Sequence, residues 1–219
     1  MLAINTAFMT ANLALKTAEG AVILKDIDAK SKHSENVLKS IDEMCQESST
    51  EVLDVGTVAV VVGPGSFTGL RIGVAIAKAL GCASKTLKFV SLSSLQLMAY
   101  KIAKSKANSG EFVCVINALS DLFFVAQFDA EGNLVGEERM INKEEYQQIT
   151  MQKFALVGDM TTGDVEEMSV DSQDLLYFAL AKEEQGDFVL ADDLNPSYLR
   201  LSQAEDMLAQ KDKKIVKNV

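Results

Sequence analysis

Short apolar runs separated by polar turns dominate the first half of the chain. Runs rich in branched side chains are typical of β-strands, and a run without charge is typical of a strand buried on both faces. The pattern predicts strands at 2–6, 12–17, 21–27, 57–62 and 88–91. Apolar residues that recur about every 3.6 positions indicate amphipathic helices. They predict helices at 34–47, 69–83 and 93–102.

The second half repeats this order of elements. Strands are predicted at 112–117, 122–128, 134–140 and 154–157, helices at 143–149 and 173–184, and a last helical segment at 198–208. The polar, turn-forming residues 105–111 separate the two halves. Three strands followed by alternating helix and strand, found twice, predict a two-lobed α/β fold with mixed sheets flanked by helices. The predicted units are an N-terminal lobe at 1–104 and a C-terminal lobe with a terminal helix at 105–219.

Composition and charge narrow the class of partner. Hydrophobic residues make up 48% and charged residues 24% of the 219 residues, which is ordinary for a globular protein. The net charge is −10 and the strongest basic cluster is the short terminal stretch 211–217, which argues against unaided binding of nucleic acid. Cys45, Cys82 and Cys114 lie far apart, so neither a zinc site nor a disulfide framework is expected. Reduced thiols, no secretion signal and no apolar span of membrane length predict a cytoplasmic protein without membrane contact.

The predicted helix at 69–83 contains an unusual number of small residues. Ile72, Ile76 and Leu80 form an ordinary apolar stripe, and two rows of glycine and alanine lie beside it. The rows are Gly69, Gly73, Ala77 and Gly81, and Ala75, Ala79 and Ala83. A glycine inside a helix costs about 0.8–1.0 kcal/mol relative to alanine, so close approach of another backbone is the expected compensation.

Two interpretations of these rows are open. A small row allows the helix to lie tightly on its own sheet, or it keeps one side of the helix free for another subunit. Because two small rows and an apolar stripe leave little of the circumference for solvent, a partner on one side is favoured. The predicted partner interface is Gly69, Arg71, Ile72, Gly73, Ile76, Ala77 and Leu80. On this hypothesis Gly73→Leu or Ala77→Leu abolishes association and leaves the monomer folded.

Few groups in this chain are suited to catalysis. His33 is the one histidine, in a polar stretch beside a helix start, and no GxSxG nucleophile motif is present. The loop 63–69, GPGSFTG, lacks the Gly-Lys-Ser/Thr end of a Walker motif and the spacing of a dinucleotide fingerprint. The sequence therefore predicts no catalytic residue and no metal site, and it leaves cofactor-binding residues unassigned.

The run 63–73, GPGSFTGLRIG, resembles the signature of the bacterial TsaB (YeaZ) family. Four other stretches also resemble that family, at 2–6, 33–35, 91–95 and 195–200. The resemblance therefore spans nearly the whole chain. The resemblance implies a two-lobed fold of the actin, sugar-kinase and Hsp70 type, which is ribonuclease H-like. It also implies a noncatalytic accessory subunit in the formation of N6-threonylcarbamoyladenosine in tRNA.

The resemblance further implies two partners, a TsaD-like catalytic subunit bound through helices of the first lobe and a TsaE-like ATPase. It leaves open a homodimer of the free protein and a nucleotide at the joint with a partner, while no cofactor of the chain alone is expected. Relatives that transfer phosphate carry an Asp and a glycine-rich turn in the first hairpin, where this chain has Asn5 followed by 6–10 without glycine. Asn117 stands where relatives often show Asp. The alternative functions are an ATP-binding phosphotransferase that uses the interlobe cleft and a peptidase.

Overall fold

The computed structural model describes residues 1–28, 33–105, 110–151, 155–158 and 166–197, apart from the side chains of 33–35 and 155. The strands are β1 (Leu2–Asn5), β2 (Thr10–Lys16), β3 (Val22–Asp28), β4 (Thr57–Gly63), β5 (Lys88–Ser93), β6 (Phe112–Asn117), β7 (Leu122–Phe128), β8 (Leu134–Asn142), β9 (Ala155–Gly158), β10 (Glu166–Glu167) and β11 (Phe188–Val189). The α-helices are α1 (His33–Ser48), α2 (Phe67–Ala83), α3 (Ser94–Ser105), α4 (Lys143–Thr150) and α5 (Ser172–Gln185). Single 3-10 turns occur at Val52–Asp54 and Ala191–Asp193.

These strands form two mixed sheets. The first sheet has the order β11-β5-β4-β1-β2-β3, and the second has the order β10-β9-β6-β7-β8. In the first sheet β1, β2 and β3 are antiparallel neighbours, while β4 runs parallel to both β1 and β5. The second sheet repeats this plan, because β6, β7 and β8 are antiparallel neighbours and β9 runs parallel to β6.

Alternation along the strands sorts the apolar side chains into three cores. Leu2 and Ile4 of β1 point to the side of the first sheet that α1 and α2 cover, and Ala3 points to the opposite side. On that opposite side α3 and α5 lie between the two sheets and share one core with both. The outer face of the second sheet packs on α4 through Phe123 and Tyr146, whose ring centroids are 4.4 Å apart. The order of layers is thus α1 and α2, first sheet, α3 and α5, second sheet, α4.

The predicted strands and helices are confirmed wherever the structure describes the chain, with ends moved by a few residues. The short strands β10 and β11 were not predicted, because each has two residues and two residues are too few to show a periodic pattern. β11 follows α5 in the chain yet completes the edge of the first sheet beside β5. The division into units 1–104 and 105–219 stays a prediction, as does the helical segment at 198–208, which lies outside the described residues.

None of the helices in the described part of the chain has the length and hydropathy needed to cross a lipid bilayer.

Candidate functional site: the outer side of α2 and the first hairpin

The small-residue helix α2 begins where the sequence places a turn. Ser66 is its N-cap and the Ser66 Oγ accepts a hydrogen bond from the Gly69 N–H at 3.2 Å. The loop before it is held by the first hairpin, since the Ser66 N–H donates to the Ala7 carbonyl at 2.9 Å. The hydroxyl of Thr6 donates to the Gly69 carbonyl at 2.7 Å. The turn after β1 therefore packs directly against the amino end of α2.

The row of Gly69, Gly73, Ala77 and Gly81 faces the protein's own structure. A Cβ on Gly69 would overlap the Thr6 carbonyl oxygen, and a Cβ on Gly73 would lie 2.6 Å from Thr6 Oγ1. Gly69 and Gly73 are buried, and Ala77 is fully buried in the core beneath α1 and α2. These close approaches between backbone and helix offset the cost of glycine in a helix.

This placement corrects part of the predicted partner interface. Gly69, Gly73 and Ala77 were assigned to that interface because they are small, but they are small because β1, β4 and the first hairpin cover them. A partner cannot reach these three residues in the folded chain. We now expect Gly73→Leu and Ala77→Leu to destabilise the monomer itself, because a Cβ on Gly73 would lie 2.6 Å from Thr6 Oγ1 and Ala77 is fully buried. Loss of association in these variants would therefore not identify a partner surface.

The second row points away from the sheet. Ala75, Ala79 and Ala83 are exposed, while Ile72, Ile76 and Leu80 are half-buried. At the amino end Phe67 is 42% exposed, and the Arg71 guanidinium carbon lies 5.4 Å from the centroid of the Phe67 ring. We call this surface, formed by Phe67, Arg71, Ile72, Ala75, Ile76, Ala79 and Leu80, the outer side of α2.

The chain after α5 covers the other flank of α2. A Cβ on Gly81 would lie 2.6 Å from the Ala191 Cβ, and Lys78 Nζ donates to the Asp192 carbonyl at 3.3 Å and to Asn195 Oδ1 at 3.2 Å. We call residues 186–197, which include β11, the return segment. It leaves the outer side of α2 uncovered within the described residues, so this side is the candidate surface for a partner.

The first hairpin does not have the groups that a nucleotide-bound metal ion requires. Asn5 is fully buried at the end of β1, and its amide is occupied by the chain itself. Asn5 Nδ2 donates to Asn12 Oδ1 at 2.7 Å, and Asn5 Oδ1 accepts from the Ala7 N–H at 3.0 Å. A neutral amide with both ends engaged is a poor ligand for a hard cation, which favours carboxylates. The residues present therefore do not fit such an ion at this position.

A cleft of about 510 Å³ lies at the carboxyl ends of β4 and β5. Its charged and amide groups are already paired with one another. Gln96 Nε2 donates to Glu138 Oε1 at 3.1 Å, and Lys182 Nζ donates to Asp187 Oδ2 at 3.3 Å. Among the described residues, no group of three or more His, Cys, Asp or Glu side chains is arranged to hold a metal ion. These observations give no support to a phosphotransferase site in the cleft.

Hydroxyl and thiol groups were the remaining candidates for a nucleophile. The Ser66 hydroxyl serves as the cap of α2, and the side chain of His33 lies outside the described residues. Cys45 and Cys114 are buried, and Cys82 is exposed near the carboxyl end of α2. Burial raises the pKa of the Cys114 thiol well above its ordinary value. Since a thiol must ionise to attack, the buried Cys114 is poorly suited to act as a nucleophile.

Sequence similarity to known proteins extends over most of the chain. A family model described as "TsaD: tRNA N6-adenosine threonylcarbamoyltransferase" matches residues 23–215. The chain belongs to the TsaD family. Its similar proteins carry the names TsaB and YeaZ, so the predicted resemblance to the TsaB (YeaZ) family is confirmed.

Two curated relatives are named tRNA threonylcarbamoyladenosine biosynthesis protein TsaB. The protein from Escherichia coli (strain K12) is 30% identical over 140 residues, which cover 63% of this chain and 59% of that protein. The protein from Bacillus subtilis (strain 168) is 32% identical over 122 residues, which cover 55% of this chain and 49% of that protein. The matched region thus spans about half to three-fifths of the length of these relatives.

Solved structures of this family share the fold. A Pseudomonas aeruginosa protein described as similar to peptidase YEAZ superposes with a TM-score of 0.73 at 22% identity, over 91% of this chain and 98% of that chain. YeaZ from Pseudomonas aeruginosa gives a TM-score of 0.71 at 21% identity, over 90% and 98%. The predicted α/β fold of two mixed sheets flanked by helices is confirmed, and the two YeaZ structures share it. The assignment to the actin and sugar-kinase type stays a prediction.

The second hairpin, between β6 and β7, contains a strained turn. Leu119, Ser120 and Asp121 have φ angles of 64°, 57° and 58°, and Leu119 is 67% exposed. The side chain of Asn117 accepts a hydrogen bond from the Leu119 N–H at 2.8 Å, which supports the turn. The sequence predicts a turn at Ser120 and Asp121 between the two strands, and the structure has one there. Its left-handed conformation was not predicted, because no glycine marks these positions. The amide of Asn117 thus has a structural role in this turn.

Proposed function

We propose that this chain acts in the formation of N6-threonylcarbamoyladenosine in tRNA as a noncatalytic subunit that binds and positions a TsaD-like catalytic subunit. Membership of the TsaD family and the TsaB names of its relatives support the pathway. The engaged amide of Asn5 and the paired groups of the cleft support a role without chemistry of its own. A cytoplasmic location agrees with this role and stays a prediction.

The observation that carries the proposal is the outer side of α2. A helix that packs one side on its own sheet normally presents charged residues to solvent on the other. Here Ala75 and Ala79 are exposed, and Ile72 beside them is half-buried. Ile76 is also half-buried and packs partly against the core beneath α1 and α2. The Arg71 guanidinium lies over the Phe67 ring at the amino end. Alanines on an exposed helix allow a second helix to approach closely, and the isoleucines supply apolar area. This combination suits a helix of another subunit better than it suits water.

The neighbouring helix α1 extends the same surface. α1 packs beside α2 on the outer layer, and its Leu38 is 55% exposed. We propose that α1 and α2 together contact a pair of helices in the TsaD-like subunit, and that the free protein uses the same surface to form a homodimer. We further propose that a TsaE-like ATPase binds across the resulting joint, and that any nucleotide is held there.

The test places a charge on the outer side of α2. We expect Ala79→Arg to weaken association with the TsaD-like subunit about 100-fold, because an unpaired charge buried at an interface costs about 3 kcal/mol. The matched control is Gln148→Arg, which puts the same charge on an exposed position of α4 in the opposite outer layer. Dissociation constants are measured by isothermal titration, and the thermal midpoints of both variants show that the chain is folded.

Thiol labelling gives an independent readout of the same contact. Cys82 is exposed near the carboxyl end of α2, whereas Cys45 and Cys114 are buried. We expect the catalytic subunit to slow the reaction of Cys82 with a thiol reagent in the wild-type chain and not in Ala79→Arg. Equal affinity of Ala79→Arg and wild type would contradict the surface assignment, and a wild-type chain that binds no TsaD-like subunit would contradict the function.

A further inference from the structure

A chain of buried amides crosses the first sheet. Asn5 and Asn12 are both fully buried on neighbouring strands, and Asn5 Nδ2 donates to Asn12 Oδ1 at 2.7 Å. Asn12 Nδ2 in turn donates to Asp26 Oδ1 on β3 at 2.8 Å and to the Val170 carbonyl at 3.3 Å. The buried amide groups of both asparagines are thus engaged within the protein.

The direction of this chain is fixed at one end. An ionised carboxylate only accepts hydrogen bonds, so Asp26 requires Asn12 to present its NH₂ group. That orientation turns Asn12 Oδ1 toward β1, and Asn5 must then present its own NH₂ group. The remaining oxygen, Asn5 Oδ1, accepts from the Ala7 N–H at 3.0 Å. Reversing any one amide would place two acceptors against each other.

The acidic end of the chain holds the start of α5. Asp26 Oδ1 accepts from the Ser172 N–H at 2.9 Å, and Asp26 Oδ2 accepts from the Ser172 hydroxyl at 3.2 Å. Ser172 is the first residue of α5 and is 3% exposed. The negative charge of a carboxylate at this position also interacts favourably with the positive, amino-terminal end of the helix dipole.

Ser172 lies where the polypeptide passes from the second sheet back to the first. Just before it the Met168 N–H donates to the Gly158 carbonyl at 2.7 Å, which belongs to the second sheet. Just after it α5 packs on β1, β2 and β3 of the first sheet and leads to the return segment on α2. The position of α5 therefore connects the two sheets with the helix that carries the candidate partner surface.

We propose that Asn5, Asn12 and Asp26 form a one-way hydrogen-bond chain that positions the amino end of α5 at the crossing between the sheets. Asn5 is then a positioning residue, and its amide is unavailable to a cation at the end of β1. The chain acts as a unit, since each orientation depends on the next one and all depend on the carboxylate of Asp26.

The test reverses the direction of the chain. Asn5→Asp puts an acceptor where a donor is required, and we expect the thermal midpoint to fall by about 5 °C, because an unsatisfied buried acceptor costs about 1–3 kcal/mol. In the double variant Asn5→Asp with Asp26→Asn, the bonds from residue 5 to residue 12 and from residue 12 to residue 26 can form in the opposite sense. The bonds to the Val170 carbonyl and from the Ser172 N–H cannot be reversed. We therefore expect the double variant to lose less of the midpoint than the sum of the losses in Asn5→Asp and Asp26→Asn alone.

The matched control is Asn36→Asp, the same chemical change in the first turn of α1, where we expect no fall. Hydrogen exchange adds a local readout, since Asp26→Ala should speed exchange of the Ser172 amide at least tenfold more than that of the Val115 amide in the second sheet. The melts are repeated with MgCl₂. Three outcomes would overturn the proposal. One is an unchanged midpoint for Asn5→Asp, and another is a double variant whose loss equals or exceeds the sum of the two single losses. The third is a rise of the wild-type midpoint in MgCl₂ that Asn5→Ala abolishes.

Discussion

At the residue scale, Cys114 shows how the central core controls a titratable group. It lies on β6 with its side chain in the core shared by both sheets and has no exposed surface. Burial is the main cause of its raised pKa, and the carboxylate of Glu138 adds to it. The unfolded chain exposes this thiol to water, so the folded state holds its proton to higher pH than the unfolded state does.

This difference predicts a loss of stability in alkali. Above the ordinary thiol pKa of 9.0 the unfolded chain loses a proton that the folded chain keeps, so the free energy of unfolding falls as the pH rises. From pH 8 to pH 10 the expected fall due to Cys114 is about 1.4 kcal/mol. Urea unfolding of wild type and Cys114→Ala at both pH values isolates this contribution, because other groups titrate equally in both chains. An equal fall in the two proteins would contradict the assignment.

At the element scale, α2 has two small-residue sides with opposite roles. One side, with Gly73, is fitted to the first hairpin and the sheet, whereas the other, with Ala75, is open. Side-chain volume has a different consequence on each side. On the inner side extra volume displaces β1 and the hairpin, and on the outer side it meets solvent in the free chain.

The contrast is tested by the same substituent at neighbouring positions. We expect Gly73→Leu to lower the free energy of unfolding by about 3 kcal/mol or to prevent folding, because a Cβ there lies 2.6 Å from Thr6 Oγ1. Ala75→Leu should change it by less than about 0.5 kcal/mol, since surface substitutions have small effects. Chemical denaturation measures both. Should the two variants be equally stable, the assignment of sides would be wrong.

At the scale of the whole molecule, the two halves of the sequence do not build two separate bodies of contacts. α3 and α5 share one core with both sheets, and the return segment carries β11 to the edge of the first sheet. Ser197 fixes the end of that segment, because its N–H donates to the Val62 carbonyl at 2.7 Å. Stability of the first sheet therefore depends on residues near the end of the described chain.

Two leucines of the return segment test whether this segment stabilises the first sheet and α2. Leu194 is 1% exposed and packs in the core beneath α1 and α2, whereas Leu190 is 71% exposed. We expect Leu194→Ala to lower the free energy of unfolding by about 2–5 kcal/mol and to speed hydrogen exchange in α2. Leu190→Ala makes the same truncation four positions earlier and should have little effect. Protection of α2 that is unchanged in Leu194→Ala would argue against this coupling.

The periodic elements and the family could be predicted from the sequence, because strands and helices record burial in the spacing of nearby residues. The run 63–73 also indicated the turn and the start of the helix that carries the rows of glycine and alanine. The side of α2 that faces the sheet was not predictable, since Gly73 and Ala75 belong to rows of equally small residues. Periodicity shows that a row exists, and only the surrounding strands and hairpin decide what covers it.

The sequence by itself therefore determined the order of elements, the α/β class and the resemblance to the TsaB (YeaZ) family. The tertiary structure decided which groups meet over long separations: Asn12 reaches Val170 across 158 positions, and Asp26 reaches Ser172 across 146. It also decided that Asn5 belongs to a buried amide chain and that β11 joins the first sheet. The physical reason is that local spacing encodes local burial, whereas the direction of a hydrogen bond and the partner of a sheet edge depend on segments that only folding brings together.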